Sequence, residues 1–125
     1  MARRPTPKLC ALFASRRSRS TSRADGPGYL YAFLDNGQFW KIGMSNDIGR
    51  RRREWDRNCP CPTRRWLVVV AVARRRRAET LAHLLLERHC YDRPRIHCPR
   101  CRKTHREVFT FNGHWSIVLA TIILD

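Results

Sequence analysis

Residues 28–45, GYLYAFLDNGQFWKIGMS, decide the fold of this chain. Two apolar and β-prone stretches, Tyr29 to Leu34 and Gln38 to Ile42, flank a turn at residues 35–37. The Asn36-Gly37 pair readily adopts the positive backbone angles that a two-residue hairpin turn requires. The segment therefore predicts two antiparallel strands joined by a tight turn.

The rest of the chain alternates helical and strand patterns after that hairpin. Asn46 or Asp47 can cap a helix that runs to about Arg57, because either side chain can accept hydrogen bonds from first-turn amides. The later segments predict, in order, a central strand at 66–73, a helix from Ala78 to about Cys90, a short strand at 107–111 and a helix or strand at 115–124. We expect an α/β domain with a small central antiparallel sheet flanked by helices.

The first 26 residues differ in composition from the rest. They contain seven Lys and Arg, one acidic residue and an Arg- and Ser-rich run at 15–23. Such a segment buries too little apolar area to offset the entropy cost of ordering it. We predict a disordered basic arm over residues 1–26 and one domain over residues 27–125, because a chain of 125 residues has room for one modest core.

The charge of the chain indicates a polyanionic partner. The formal net charge is +16, from 26 Lys and Arg against 10 Asp and Glu, and only three of these cations are Lys. Arg presents a planar fork of donors that can bind a phosphate through two hydrogen bonds. We expect a nucleic-acid partner. The alternative is a charge that only keeps the protein soluble.

The sequence predicts neither a membrane protein nor a secreted one. No window of about 18 apolar residues exists to span a bilayer. The apolar run Leu9 to Ala14 is too short for a secretory signal, and no small-residue cleavage site follows it. Residues 1–24 also fit a mitochondrial transit peptide, because they are rich in Arg and Ser and poor in acids. We expect an intracellular protein, nuclear in the first instance and mitochondrial in the second.

A close set of metal-ligand residues predicts a structural zinc site. Cys98 and Cys101 are two residues apart, so both thiolates can reach a tetrahedral ion from one turn, and His105 falls within the usual spacing. A fourth ligand must come from elsewhere in the chain, and the candidates are Cys59, Cys61, Cys90 and His97. The alternative is a set of reduced, unliganded thiols. Disulfides are not expected, since nothing indicates an oxidising compartment.

Several motifs occur in an order that resembles the GIY-YIG endonuclease superfamily. They are GYLY at 28–31, KIG at 41–43, then Arg50, Arg51, Trp55 and Cys59, and finally Glu79, Leu81, His83, Cys98, Cys101, His105, Glu107 and Phe109. The chain is most similar to the relatives typed on the phage T-five orf-172 DNA-binding domain, and among those to fungal members. The resemblance spans residue 28 to about residue 111.

The resemblance implies a magnesium-dependent site that hydrolyses the DNA backbone. Tyr31, or else Tyr29, would position or deprotonate the attacking water, and Lys41 would stabilise anionic charge or lower the pKa of a neighbouring phenol. Arg51 would clamp the scissile phosphate, and Glu79 would hold one Mg²⁺. No small-molecule organic cofactor is implied.

The helical pattern alone also indicates an unusual position for one arginine. Arg51 lies on the same predicted helix face as Ile48, Arg52 and Trp55, which makes it semi-buried. Desolvating a guanidinium without an anion is costly, so we expect Glu79 or a bound phosphate as its partner. The cationic edges expected to follow a phosphate backbone consist of Arg50, Arg53, Arg74, Arg75, Arg76 and Arg77.

Two positions depart from the family pattern and keep other functions open. Lys41 stands where the nucleases carry a Tyr, and Arg52 stands where Leu is common. A DNA-binding module without cleavage is therefore the first alternative, and a zinc-stabilised interaction domain for RNA or acidic partners is the second. The family pattern also favours Cys59 as the fourth zinc ligand.

Overall fold

The computed structural model of the chain describes residues 3–90, 96–97, 104–105 and 108–111. Its elements are, in chain order, helix α1 (Thr6–Ser18), strands β1 (Gly28–Asp35) and β2 (Phe39–Ser45), helix α2 (Ile48–Asn58), strand β3 (Arg65–Val72), helix α3 (Arg75–His89), and the short strands β4 (Ile96–His97), β5 (Thr104–His105) and β6 (Val108–Phe109). The predicted element at 115–124 lies outside the described residues. The α/β class with a small antiparallel sheet and flanking helices is confirmed.

Strands β3, β1, β2 and β6 form one antiparallel sheet in that order, and β4 pairs with β5 in a second. The β1–β2 hairpin has the predicted turn, because Asn36 and Gly37 both have positive φ, of 55° and 70°. The Gln38 amide donates to the Asp35 carbonyl oxygen at 3.2 Å and closes the turn. This turn sets a register in which Tyr31 lies opposite Gly43.

Strand β3 is an edge strand, not the central strand that the sequence predicted. Among the described residues it pairs with β1 alone. Its apolar side chains point to both faces of the sheet: Val68 belongs to the core on one face, and Trp66 packs against Tyr31 and Phe33 on the other. A continuous apolar run thus indicates that both faces are covered, and does not require that both edges are paired.

The two faces of the sheet are covered by different helices. On one face, the core cluster joins sheet residues to the second half of α3, and it consists of Ala32, Leu34, Trp40, Ile42, Val68, Leu86, Cys90 and Phe109. On the other face, α2 covers Tyr31 and Phe33 through Trp55. Side chains alternate along β1, so neighbouring residues of this one strand serve two separate layers.

The segment before the sheet contains an ordered helix where the sequence suggested a disordered arm. Helix α1 packs against α3 and buries Leu9 completely. The Arg4 guanidinium binds the carboxylate of Glu87, a residue only 1% exposed, with Nη2 at 2.8 Å from Oε1. A buried carboxylate needs such a partner. Composition could not reveal this docking, because the acid that binds Arg4 lies 83 residues away.

The two later helices match their predictions in place but not in every boundary. Asp47 is the residue that caps α2, and its side chain accepts from the Arg50 amide at 3.0 Å. Helix α3 begins at Arg75, so most of the second arginine run forms its first turn instead of preceding it. No helix in the described part of the chain is long and apolar enough to cross a membrane.

Candidate functional site

The phenol of Tyr31 is the centre of a polar cluster under α2. Tyr31 is fully buried on β1. Its hydroxyl oxygen accepts a hydrogen bond from Arg51 Nε at 3.2 Å and another from Trp55 Nε1 at 3.0 Å. Arg51 and Trp55 are four residues apart and therefore share one face of α2, so both reach the same oxygen. The predicted helix stripe that contained Arg51 and Trp55 is thus confirmed.

Gly43 makes room for this phenol. It lies directly opposite Tyr31 in the hairpin register. A Cβ built on Gly43 would overlap the ring and hydroxyl of Tyr31. Because Tyr31 is fully buried, its ring has no free space into which it could move away. The glycine of the KIG motif is therefore required by the close approach of a buried side chain.

Within the described residues the anionic partner of Arg51 is Glu54, whereas the sequence predicted Glu79 or a bound phosphate. The Nη1 atom of Arg51 lies 3.1 Å from Oε2 of Glu54, three residues along the same helix. Burial lowers the pKa of Arg51, but its bonds to Tyr31 and Glu54 outweigh this effect and leave the pKa raised. The side chain is 41% exposed. A permanently charged guanidinium is thus held in place while part of it faces solvent.

Two further cations lie over the aromatic rings of this layer. Lys41 is buried, and its Nζ lies 5.7 Å from the centroid of the Trp55 ring. The guanidinium of Arg52 lies 5.1 Å from the Trp66 ring. Such contacts stabilise a cation at a ring face by roughly 0.5–2 kcal/mol. Arg52, which departs from the family pattern, therefore extends the cationic layer over the edge strand.

Arg64 packs against the aromatic side chains of the cluster, and the sequence did not predict this role. Its side chain is only 4% exposed, and its Nε and Nη2 atoms bind the two oxygens of Asp35 at 2.9 and 3.1 Å. Its guanidinium also stacks on Phe33 at 4.4 Å and on Trp55 at 5.3 Å. This residue fixes the position of Trp55 relative to the hairpin turn. Of the two residues in this ion pair, only Asp35 could be recognised from the sequence, as part of the predicted turn.

The two candidate tyrosines differ in accessibility. Tyr29 and Tyr31 are two residues apart on β1 and therefore lie on the same face of the sheet. Tyr29 is 38% exposed, whereas Tyr31 is fully buried beneath α2. Tyr29 is thus the phenol that solvent can reach, and Tyr31 is the one that holds Arg51.

Glu79 lies on α3 between two residues with described contacts to the hairpin. One turn earlier, the side chain of Arg75 fills the space that a Cβ on Gly28 would need. One turn later, His83 Nε2 lies 2.9 Å from the carbonyl oxygen of Ile42. Residues four apart share a helix face. Glu79 therefore lies beside the stretch of β2 that follows Ile42.

The predicted catalytic residues are divided between the two faces of the sheet. Tyr31 and Arg51 lie on the α2 face, next to Gly43. Glu79 belongs to α3, whose apolar side packs on the opposite face of the sheet. In the described residues β6 pairs with β2 at Trp40 and Lys41.

The remaining predicted cations differ in what holds them. Arg50 is 56% exposed and binds Glu54 at 3.3 Å. Arg74, Arg75 and Arg77 each donate to backbone carbonyl oxygens, those of Asp25, Pro27, Arg17 and Arg19. The side chains of Arg53 and Arg76 make no hydrogen bond or ion pair within the described part of the chain. Charge on both runs is therefore open to an anionic ligand.

The predicted zinc ligands fall largely outside the described residues. Cys98 and Cys101 lie there, and of His105 only the backbone strand is described. Cys59, the favoured fourth ligand, is buried, and neither it nor Cys61 or Cys90 forms a disulfide within the described residues. Within residues 3–90, 96–97, 104–105 and 108–111, no three His, Cys, Asp or Glu side chains are arranged to hold a metal ion. The zinc site stays a prediction.

The comparison with known proteins supplies one match. A family model described as the T5orf172 domain matches residues 28–123, which is most of the chain. This family is nuclease-like and associated with nucleic-acid binding. No curated protein and no solved structure matches the chain significantly.

Proposed function

We propose that this chain, which belongs to the T5orf172 domain family, binds DNA through the α2 face of its sheet and hydrolyses the DNA backbone there in the manner of GIY-YIG endonucleases. The observation that carries this proposal is the fixed guanidinium of Arg51. Tyr31 holds its Nε atom and Glu54 holds its Nη1 atom. Its Nη2 atom has no hydrogen-bond partner among the described residues, so it can bind a phosphate oxygen.

The superfamily relationship is supported by how the motif residues are used. The tyrosine of the first signature lies opposite the glycine of the second, and that glycine leaves space for the phenol. The arginine of the following helix binds the same phenol. These are three motif positions, distant in sequence, that share one cluster.

In the proposed reaction a water attacks the phosphorus, the bond from phosphorus to one ester oxygen breaks, and that oxygen leaves with a proton. Arg51 would stabilise the negative charge that develops on the non-bridging oxygens. Tyr29, the exposed phenol on the same face, would orient the attacking water, while Tyr31 would keep Arg51 in position. Lys41 would add positive charge beside the cluster.

Glu79 is the carboxylate that would hold a divalent cation, since Glu54 is already bound to Arg50 and Arg51. Mg²⁺ keeps most of its waters and is commonly held by one or two carboxylates together with substrate phosphates, so a single carboxylate suffices. Glu79 lies on α3 one turn before His83, which contacts the carbonyl oxygen of Ile42, so a DNA backbone bound to Arg51 would have to extend around β2 to reach it. The bound ion would supply charge stabilisation and an activated water.

The experiment that tests cleavage is plasmid nicking with Mg²⁺ by the wild type and by Glu79→Gln. We expect Glu79→Gln to reduce nicking about 100-fold or more while the Kd for duplex DNA changes less than about twofold, because one carboxylate contributes little to holding a polyanion. Asp56→Asn is the matched control, since it removes an exposed carboxylate from α2. Equal nicking by the wild type and Glu79→Gln would show that Glu79 has no part in cleavage.

A DNA-binding module without cleavage is the second candidate function. Two observations favour it: Tyr31 is fully buried with two donors on its hydroxyl, and Lys41 occupies the place of the second-signature tyrosine. The nicking assay separates the two candidates. A wild type that binds duplex DNA but does not nick it with Mg²⁺ or Mn²⁺ is a binding module.

A structural zinc remains part of the proposal. Strands β4 and β5 pair antiparallel with His97 opposite Thr104, so the backbone brings together the two ends of the segment that contains Cys98 and Cys101. We expect one zinc per chain by elemental analysis, and chelation or Cys98→Ser should lower the melting temperature. Folded protein without zinc would contradict this.

A further inference from the structure

A cavity of about 230 Å³ lies between the C-terminal end of α1, the segment that follows it and the first turns of α3, so only part of its wall belongs to the family-matched residues 28–123. Its wall is strongly cationic and carries hydroxyl groups. The lining residues relevant here are Arg16, Arg19, Arg76 and Arg77, with Ser20 and Thr21. The cavity therefore gathers positive charge from the segment before the sheet and from the start of α3.

Asp25 is the only acidic residue in that wall, and its carboxylate is already used. It accepts from the backbone N–H groups of Gly26 at 2.9 Å, Arg76 at 2.9 Å and Arg77 at 3.0 Å. Asp25 thus satisfies the amides at the start of α3 and is buried there. It forms no described ion pair with an arginine side chain of the cavity. The amides at the start of α3 are therefore already bound and are not the groups that would hold an anion in this cavity.

The guanidinium groups have far fewer partners than the amides. Arg77 donates to the carbonyl oxygens of Arg17 and Arg19, and so joins the end of α1 to α3. The side chains of Arg16, Arg19 and Arg76 make no hydrogen bond or ion pair with any described residue. Like charges gathered at the positive end of a helix repel each other. Such an arrangement is stabilised when an anion binds between the charges.

We propose that this cavity binds a backbone phosphate of the nucleic acid, at a second contact separate from Arg51. A phosphate diester carries one negative charge and two strong acceptor oxygens, which match the arginine forks and the hydroxyls of Ser20 and Thr21. The volume accommodates the phosphate with part of its sugar. The proposal rests on the proposed nucleic-acid binding and extends the contact surface to the segment before the family domain.

The test compares two double variants of the full chain, each lacking two positive charges. Arg16→Gln with Arg76→Gln removes cations from the cavity. Arg23→Gln with Arg57→Gln is the matched control, because both of its arginines are exposed, make no described side-chain contact and lie outside the cavity lining. The Kd for a short duplex is measured across a salt series, and the melting temperature is recorded for each variant.

We expect the cavity variant to lower the slope of log K against log salt by about 1 and to weaken binding about tenfold at fixed salt, with less than half of that effect in the control. Its melting temperature should equal or exceed that of the wild type, since two repelling charges are removed. Equal slopes in the two double variants would overturn the proposal. So would a lower melting temperature that accounts for the loss of binding.

A second arm distinguishes the backbone phosphate from a free phosphate compound. Inorganic pyrophosphate is added to the wild type and to the cavity variant, and the melting temperature is followed. Stabilisation of the wild type alone, together with equal duplex slopes in both double variants, would assign the cavity to a free phosphate and overturn its role with nucleic acid. A wild type that does not bind duplex at low salt would instead refute the proposed function itself, and this assignment with it.

Discussion

The chain contains two runs of four consecutive arginines, 50–53 and 74–77, and the fold uses them differently. The first run lies inside α2, and its members bind side chains: Arg51 binds Tyr31 and Glu54, and Arg52 lies over Trp66. The second run forms the cap and first turn of α3, and its described side-chain bonds go to backbone carbonyl oxygens. Two identical runs of four arginines thus make different kinds of contact.

The difference follows from where each run stands relative to its helix ends. Within α2, side chains three and four residues apart project onto one face, where Arg51 contacts the buried phenol of Tyr31 and the carboxylate of Glu54. At the start of α3, the exposed amides need acceptors and the helix dipole disfavours cations. Asp25 supplies the acceptors from outside the helix. The first run is built around a side-chain site, and the second around a helix end.

The largest expected effect comes from removing the phenol that organises the first run. Tyr31→Phe leaves Arg51 Nε and Trp55 Nε1 without their acceptor, and we expect a loss of about 2 kcal/mol in the free energy of unfolding. Duplex affinity should also fall, because Arg51 loses its orientation. Denaturant unfolding and a binding titration measure the two effects. Tyr29→Phe is the matched control, and an equal loss of stability in both variants would contradict the role given to Tyr31.

For the second run, the expected loss of stability comes from removing the cap at the start of α3. Asp25→Ala removes the acceptor for three backbone N–H groups, and the expected loss is about 1–2 kcal/mol, as for other helix N-caps. Nicking per folded molecule at saturating DNA should change little, because Asp25 lies outside the Arg51 site. Unfolding by denaturant measures the loss. A stability equal to that of the wild type would show that the cap contributes nothing.

The same cap should make stability depend on pH in a defined direction. Burial raises the pKa of Asp25, but the N–H groups of Arg76, Arg77 and Gly26 and the charge of Arg75 outweigh it and leave the pKa lowered. The contribution of Asp25 is therefore fully present above the pKa of the unfolded chain and is lost as the pH falls through the lower folded value. The difference in unfolding free energy between wild type and Asp25→Asn should be constant near neutral pH and shrink below about pH 4. A difference that grows on acidification would have the wrong sign.

The smallest expected effect belongs to the surface ion pairs of the first run. Glu54→Gln removes the partner of Arg50 and Arg51, and about 0.5 kcal/mol of stability should be lost because the pairs are partly exposed. The loss should decrease at high salt. Unfolding at two salt concentrations measures it. A loss as large as that of Tyr31→Phe would mean that Glu54, and not the phenol, organises the run.

Local signals made much of this fold predictable. The Asn36-Gly37 turn, the Asp47 cap and the helix stripe with Arg51 and Trp55 each depend on residues within a few positions of one another. Such interactions are encoded by spacing, so the hairpin, α2 and the Arg51 position followed from the sequence.

The interactions that could not be predicted join distant parts of the chain. Asp25 binds amides 51 and 52 residues away, and Arg4 binds Glu87 across 83 residues. From composition alone, Asp25 and Arg4 were both predicted to lie in a disordered arm. The described anionic partner of Arg51, Glu54, was not predicted either, although it lies only one turn away on the same helix. Burial of apolar area and completion of buried polar groups decide these contacts, and neither has a sequence period.

The central claim is that a phenol-held arginine binds the nucleic-acid backbone, and a salt titration of duplex binding tests it most directly. Arg51→Gln is compared with Arg57→Gln, an exposed arginine in the last turn of the same helix. We predict that Arg51→Gln lowers the slope of log K against log salt by about 1 and weakens binding roughly tenfold, while Arg57→Gln changes both by less than half as much. Equal behaviour of the two variants would show that α2 contributes only diffuse charge, and would contradict the site.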